Sequence, residues 1–234
     1  MMTISLSDVS KRFNRDWIFR NFNFTFTSQH SYAITGPNGS GKSTLLQVIG
    51  GAIGISEGEI VYRLRHPPFE AGRKPGGDQI RNSEDRSPAQ ASGVENVAAD
   101  HAYKYISFAA PYLEVIEEMT AVEFLDFHRK FKPLLSNCSI QQILMIVGLE
   151  NASNKQIRYY SSGMKQRIKL AQAIFSDTPV VLLDEPCTNL DAQGVELYQK
   201  LVRDYCAGRL VIVSSNDLQE YGFCEERISI LDYK

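Results

Sequence analysis

Gly36, Pro37, Asn38, Gly39, Ser40, Gly41, Lys42, Ser43 and Thr44 read GPNGSGKST, with Gly36 and Gly41 bracketing four residues ahead of Lys-Ser. Glycines at that spacing leave backbone N–H groups free to point inward at phosphate oxygens. Lys42 then sets a full positive charge against β- and γ-phosphates, and the Ser43 hydroxyl is a ligand type for Mg²⁺. A second chemical pair, Asp184 and Glu185, follows the aliphatic run Val180-Val181-Leu182-Leu183. Two adjacent carboxylates at the end of a buried strand divide their work. Asp184 can hold the cation that Ser43 contacts, while Glu185 can orient or deprotonate a water aimed at the γ-phosphate.

These groups need elements to aim them. Ser31 to Thr35 reads as a short strand and Lys42 to Ile49 as a helix ended by Gly50 and Gly51, so the loop sits between strand and helix, where the helix dipole adds positive charge. Thr3 to Val9 and Ile18 to Phe26 read as an antiparallel two-stranded flap, with Phe22, Phe24 and Phe26 alternating with polar residues. A turn at Glu57-Gly58-Glu59 leads to a short strand at Ile60 to Tyr62. Thr120 with Glu123 and Ser139 with Gln142 are capping boxes that open two helices. Phe124, Phe127, His128 and Phe131 form the apolar stripe of the first, with His128 a packed residue. A helix follows Ser161, Asp191 caps another, and strands are expected at Arg209 to Ser214 and Arg227 to Leu231. Strands alternating with helices predict an α/β fold built on a mostly parallel sheet.

Arg65 to Asp100 lacks either period and carries five basic against six acidic residues, so it reads as a solvated, flexible insertion rather than a nucleic-acid arm. With 234 residues and a net charge of −2, the chain can bury one substantial core and has no overall basic field, so no nucleic-acid partner is expected. No apolar stretch has the length of a bilayer span. Cys138, Cys187, Cys206 and Cys224 lack metal-site spacing and are expected as reduced thiols.

Tyr160-Ser161-Ser162-Gly163-Met164-Lys165-Gln166-Arg167 resembles the signature of the ATP-binding-cassette (ABC) ATPases, usually written L-S-G-G-Q, with Ser161 and Gly163 matching it. The resemblance extends over nearly the whole chain apart from 65–100. It implies a P-loop NTPase core in parts 31–64 and 160–234, an antiparallel β subdomain over 1–30, and a link with a small α-helical subdomain over 105–159, together one ABC ATPase domain. It further implies ATP and Mg²⁺ as cofactors, Asp191 in a D-loop at a subunit boundary, and Phe13 placed like the aromatic that stacks on adenine. In that family two nucleotide domains pair head to tail, so the implied partners are a homodimer or heterodimer mate and a separate transmembrane permease. The implied location is cytoplasmic, peripheral on the membrane's inner face. The function so implied is a transporter's ATP-hydrolysing motor subunit; the alternative is a soluble cassette protein with slow hydrolysis that acts as a regulatory or scaffolding switch. An unrelated P-loop kinase or GTPase would leave the signature unexplained, and Asn154-Lys155-Gln156-Ile157 lacks the aspartate of a guanine reader.

Ser162 and Met164 depart modestly from the signature, and two further departures from the family matter more. The family's glutamine near Mg²⁺ has no counterpart between Ile106 and Thr120, where spacing gives its position to Pro111. Its switch histidine is replaced by Asn216, which keeps a donor for the γ-phosphate but cannot become charged.

Overall fold

A computed structural model describes residues 1–65 and 93–234, and in it two sheets divide the strands. The first has the order β2-β1-β4-β5, from β1 (Met2–Phe13), β2 (Asp16–Thr27), β4 (Glu57–Arg65) and β5 (Val94–Val97), and its pairs are antiparallel. The second is parallel throughout, in the order β6-β7-β8-β3-β9, from β3 (Ser31–Thr35), β6 (Ile106–Ala109), β7 (Val180–Asp184), β8 (Leu210–Ser214) and β9 (Glu226–Ser229).

Every residue of β7 and β8 is buried, as a strand covered on both faces requires. Alternation along them defines two cores. Val180, Leu182, Leu210 and Ile212 pack on one face with Leu45, Leu46 and Ile49 of α1 (Lys42–Ile49), and with Phe19, Phe22 and Phe26 of the antiparallel sheet. Val181, Leu183, Val211 and Val213 pack on the other face with α4 (Ser162–Ile174), α5 (Ala192–Tyr205) and the small helices α2 (Ala121–His128) and α3 (Ile140–Ile146). Each large aliphatic or aromatic side chain so buried contributes about 2 kcal/mol. The apolar period of each strand therefore decides which helix covers which face.

Both capping boxes form: Thr120 and Ser139 accept from the N–H of Glu123 and Gln142, which reach back to the cap N–H groups. Asp191 caps α5 through the Gly194 N–H at 2.8 Å.

Several expectations need correction. The antiparallel unit has four strands, and Glu57-Gly58-Glu59 lies within β4, paired to β1 instead of turning into the nucleotide core. The expected insertion at 65–100 does not read as flexible at its end: Val94–Val97 is a strand, with Val97 opposite Tyr62 and buried, and a 3-10 helix runs over Ala99–Tyr105. Its remainder, 66–92, lies outside the described residues. The stripe beginning at Phe124 fails after one turn. α2 stops at His128, leaving Phe131 71% exposed and edge-on to the exposed Phe127 at 5.0 Å. The last strand ends at Ser229, whose hydroxyl accepts from the Leu231 N–H and opens a 3-10 turn.

Candidate functional site

The GPNGSGKST loop joins β3 to α1, so its N–H groups open at the carboxyl end of the parallel sheet, where open α/β sheets bind ligands. Gly36 has φ +146°, and a Cβ there would stand 2.6 Å from Ile230 Cγ2; at Gly41, φ is +98° and a Cβ would stand 2.5 Å from Ile18 Cγ2. Neither position accepts a side chain, so the loop's curvature depends on both glycines.

Lys42 is buried, and its Nζ donates to the Gly36 carbonyl at 2.7 Å and the Pro37 carbonyl at 3.2 Å. Burial lowers its pKa, against the opposing pull of Glu185 and then Asp184. Those three charges therefore share one neighbourhood, although two come from residues far along the chain. Asp184 ends β7 only 1% exposed, and neither carboxylate oxygen has a hydrogen-bond partner. The buried Ser40 hydroxyl of the loop has none either. Buried polar atoms left this way cost free energy unless a ligand satisfies them.

Glu185 turns the chain with φ +41°, a left-handed conformation uncommon for a residue with a side chain. Its N–H donates to the Ser214 carbonyl at 2.9 Å, fixing the turn against β8. Gln166 on α4 donates to the Pro186 carbonyl at 2.7 Å, and the buried Glu220 carboxylate accepts from the Cys187 N–H at 2.7 Å. Burial raises the Glu220 pKa, with hydrogen bonds from Ser215 and Cys187 opposing.

Asn216 follows β8. Its Oδ1 accepts from the Gly36 N–H at 3.2 Å, and its Nδ2 donates to Asn38 Oδ1 at 2.9 Å. A cleft of about 550 Å³ is lined in part by Asn38, Glu185, Asp191 and Asn216. So the structure gathers loop, carboxylates, Asp191 and Asn216 at the carboxyl end of the sheet's central strands.

Ser161 and Gly163 are elsewhere. They open α4, with Ser161 Oγ accepting from the Met164 N–H at 3.3 Å, and α4 packs on the sheet face opposite α1. Phe13 ends β1, 49% exposed, with Lys11 Nζ 4.8 Å from its ring; its hairpin touches the loop where Ile18 covers Gly41. Trp17 is engaged by Arg12 and Arg20 over its ring.

Sequence reasoning gave no role to Gln166, Glu220 or Tyr112. Glu220 carries no local signal, since only the fold buries it beneath Cys187. Tyr112 adjoins the Pro111 position, and its phenol faces Asp184 and Gln47. Burial, with the Asp184 charge adding to it and the Gln47 contact opposing, pushes it up to about 12.

The pattern of groups fits a nucleotide and a cation. The unpartnered Asp184 carboxylate sits near Lys42 at the loop, a donor set of hard oxygens that suits Mg²⁺. Among the described residues no cluster of His, Cys, Asp and Glu makes an all-protein metal cage, and no helix is long and apolar enough to cross a membrane.

Residues 19–188 match the profile of the ABC transporter family. The uncharacterized ABC transporter ATP-binding protein YybJ of Bacillus subtilis is 26% identical over 218 residues, covering 93% of this chain and 87% of YybJ. The cytochrome c biogenesis ATP-binding export protein CcmA of Rhizobium etli is 28% identical over 221 residues, covering 92% and 88%. A solved ATP-binding cassette, a dimer in a post-hydrolysis state bound to ADP and phosphate, superposes with a TM-score of 0.71 at 22% identity, covering 97% of this chain and 93% of that one.

Proposed function

Because the chain belongs to the ABC transporter family, we propose that it is an ATP-binding subunit whose ATP-driven dimerisation and hydrolysis work a separate membrane permease. One observation carries this: the helix that follows the loop and the signature helix cover opposite faces of the parallel sheet, which suits one subunit supplying half of a nucleotide's contacts at each place. The proposed site is completed by a second copy or a related subunit, Ser161 and Gly163 of one facing the loop of the other, with Asp191 at the boundary. The dimeric cassette it resembles in fold supports this arrangement.

In this reading the backbone of Gly36 to Thr44 holds the triphosphate. Lys42 leaves the carbonyls of Gly36 and Pro37 for the β- and γ-phosphates, a charge-assisted exchange. Ser43 and Asp184 would hold Mg²⁺, which when bound neutralises phosphate charge. Glu185 accepts a proton from water as the water's oxygen attacks the γ-phosphorus; the bond to the β-phosphate oxygen breaks, leaving ADP and phosphate. Asn216 faces the γ-phosphate with an amide instead of a titratable ring, so it donates without taking up a proton. Phe13 stacks on adenine from the rim. The subunit works at the cytoplasmic face, and the exposed apolar residues between Ala109 and Phe131, among them Leu113, Ile116 and Phe127, are the surface offered to the permease.

The soluble-switch alternative keeps two supporting observations: the Asn216 amide is spent on Gly36 and Asn38, and Pro111 supplies no side-chain donor, both favouring slow turnover. Glu185→Gln separates the readings. It is expected to hold an ATP-dependent dimer by light scattering and to retain a membrane protein in a detergent pull-down. A dimer that retains none supports the soluble switch; no dimer with ATP refutes both.

A further inference from the structure

Strand register sets Tyr112 beside the proposed cation site. β6 runs parallel to β7 with Ala109 opposite Leu183, so the chain leaves β6 next to Asp184. The turn that follows is held from the signature helix. Lys169 Nζ donates to the Pro111 carbonyl at 2.7 Å, and Lys165 pairs with Glu117 at 2.5 Å six residues on. Beyond Pro111 the Tyr112 ring lies 6.5 Å from Phe108, and its phenol faces the Gln47 side chain and the Asp184 carboxylate. That contact with Asp184 is looser than an ordinary hydrogen bond, since neither Asp184 oxygen has a partner at hydrogen-bond geometry although the residue is 1% exposed.

A carboxylate that gives one oxygen to a cation is fixed in orientation when its other oxygen accepts a hydrogen bond. Phenol is a neutral donor that can do this without competing for the metal. We propose that Tyr112 is a positioning residue of the nucleotide site: its hydroxyl donates to one Asp184 oxygen and turns the other toward the cation, at the place where Pro111 has no polar side chain to offer. Lys169, through the Pro111 carbonyl, fixes the turn that presents it. This inference rests on the nucleotide-site reading above.

The test is a titration of Mg²⁺ into full-length protein saturated with a fluorescent ATP analogue carrying an N-methylanthraniloyl label, for the wild type, Tyr112→Phe and Asp184→Asn, with analogue affinity in EDTA as the control. Tyr112→Phe is expected to raise the apparent Mg²⁺ dissociation constant roughly tenfold and leave the EDTA affinity unchanged. Asp184→Asn is expected to raise it further. A Tyr112→Phe curve superimposed on the wild type while Asp184→Asn shifts overturns the tyrosine's role and spares the site. Equal loss with and without Mg²⁺ in Tyr112→Phe also overturns it, since the hydroxyl would then serve nucleotide or fold. No shift in Asp184→Asn brings down the cation site and this inference together.

Discussion

A half-buried charge and a fully buried one at opposite ends of the parallel sheet receive opposite treatment. At the amino end, Arg209 precedes β8 and donates from all three nitrogens: to the Thr178 carbonyl at 2.7 Å, Ile174 carbonyl at 2.6 Å, Ser176 carbonyl at 3.0 Å and Thr178 Oγ1 at 2.9 Å, with longer contacts to Tyr205 and Ser107. At the carboxyl end, Asp184 is more deeply buried and has no hydrogen bond of ordinary geometry, only the Tyr112 phenol and the Lys42 charge nearby. Both positions carry the same desolvation penalty in kind. Only one has protein groups arranged to offset it, so the first contributes to stability and the second fits the cation site proposed above.

That contrast breaks most readily at Lys42. Lys42→Ala is expected to cut ATP affinity about 100-fold or more by calorimetry while leaving the urea midpoint nearly unchanged, because its bonds are to loop carbonyls that water can reach once freed. Normal affinity would remove the carboxyl end from the function. The paired substitutions Arg209→Ala and Asp184→Asn sharpen the comparison by sign. The first should lower nucleotide-free stability by about 3 kcal/mol, since several buried acceptors lose their donor. The second should leave it unchanged or raise it by up to about 1 kcal/mol, since it removes an unpartnered carboxylate. Urea unfolding measures both, and a loss of stability in Asp184→Asn would contradict the assignment.

A weaker effect follows from His128, which joins the amino-end network. Gln172 Nε2 donates to its Nδ1 at 3.1 Å, and its Nε2–H donates to Ser176 Oγ at 2.8 Å, an arrangement that only the neutral ring completes. Burial, then the nearby Lys132 charge, lowers its pKa from 6.5 to about 4. The unfolded state therefore binds more protons between those values, so this stabilisation is full above pH 6.5 and is lost as pH falls toward 4. The change is on the order of 2 kcal/mol after allowance for partial exposure. His128→Gln should flatten that slope in stability measured from pH 7 to 4.5. The smallest effect belongs to Phe13. Phe13→Ala should weaken ATP binding by roughly threefold to tenfold and leave inorganic triphosphate binding alone, as loss of one stacking face predicts.

Local signals translated faithfully into structure. Both capping boxes, the Asp191 cap, the strand at Ser31–Thr35 and the helix at Lys42–Ile49 depend on contacts within a few residues, and the sequence contains those contacts whole. The α2 stripe misled for a related reason. Period alone extended it to Phe131, whereas the chain leaves the helix after His128 and no partner surface lies over the last ring. The strand at Val94–Val97 was illegible because four residues have little pattern of their own; pairing with β4 makes them a strand.

By itself, then, the sequence determined the glycine-rich loop between strand and helix, the acidic pair at a strand's end, the helix starts and the α/β alternation, since spacing and short-range hydrogen bonding specify each. Tertiary structure alone decided that Asn216 would grip a loop 178 residues away, that Tyr112 would face Asp184, and that Arg209 would be satisfied where Asp184 is not. Those relations follow from strand order and from which face each helix covers, and such long-range packing leaves no trace in neighbouring residues.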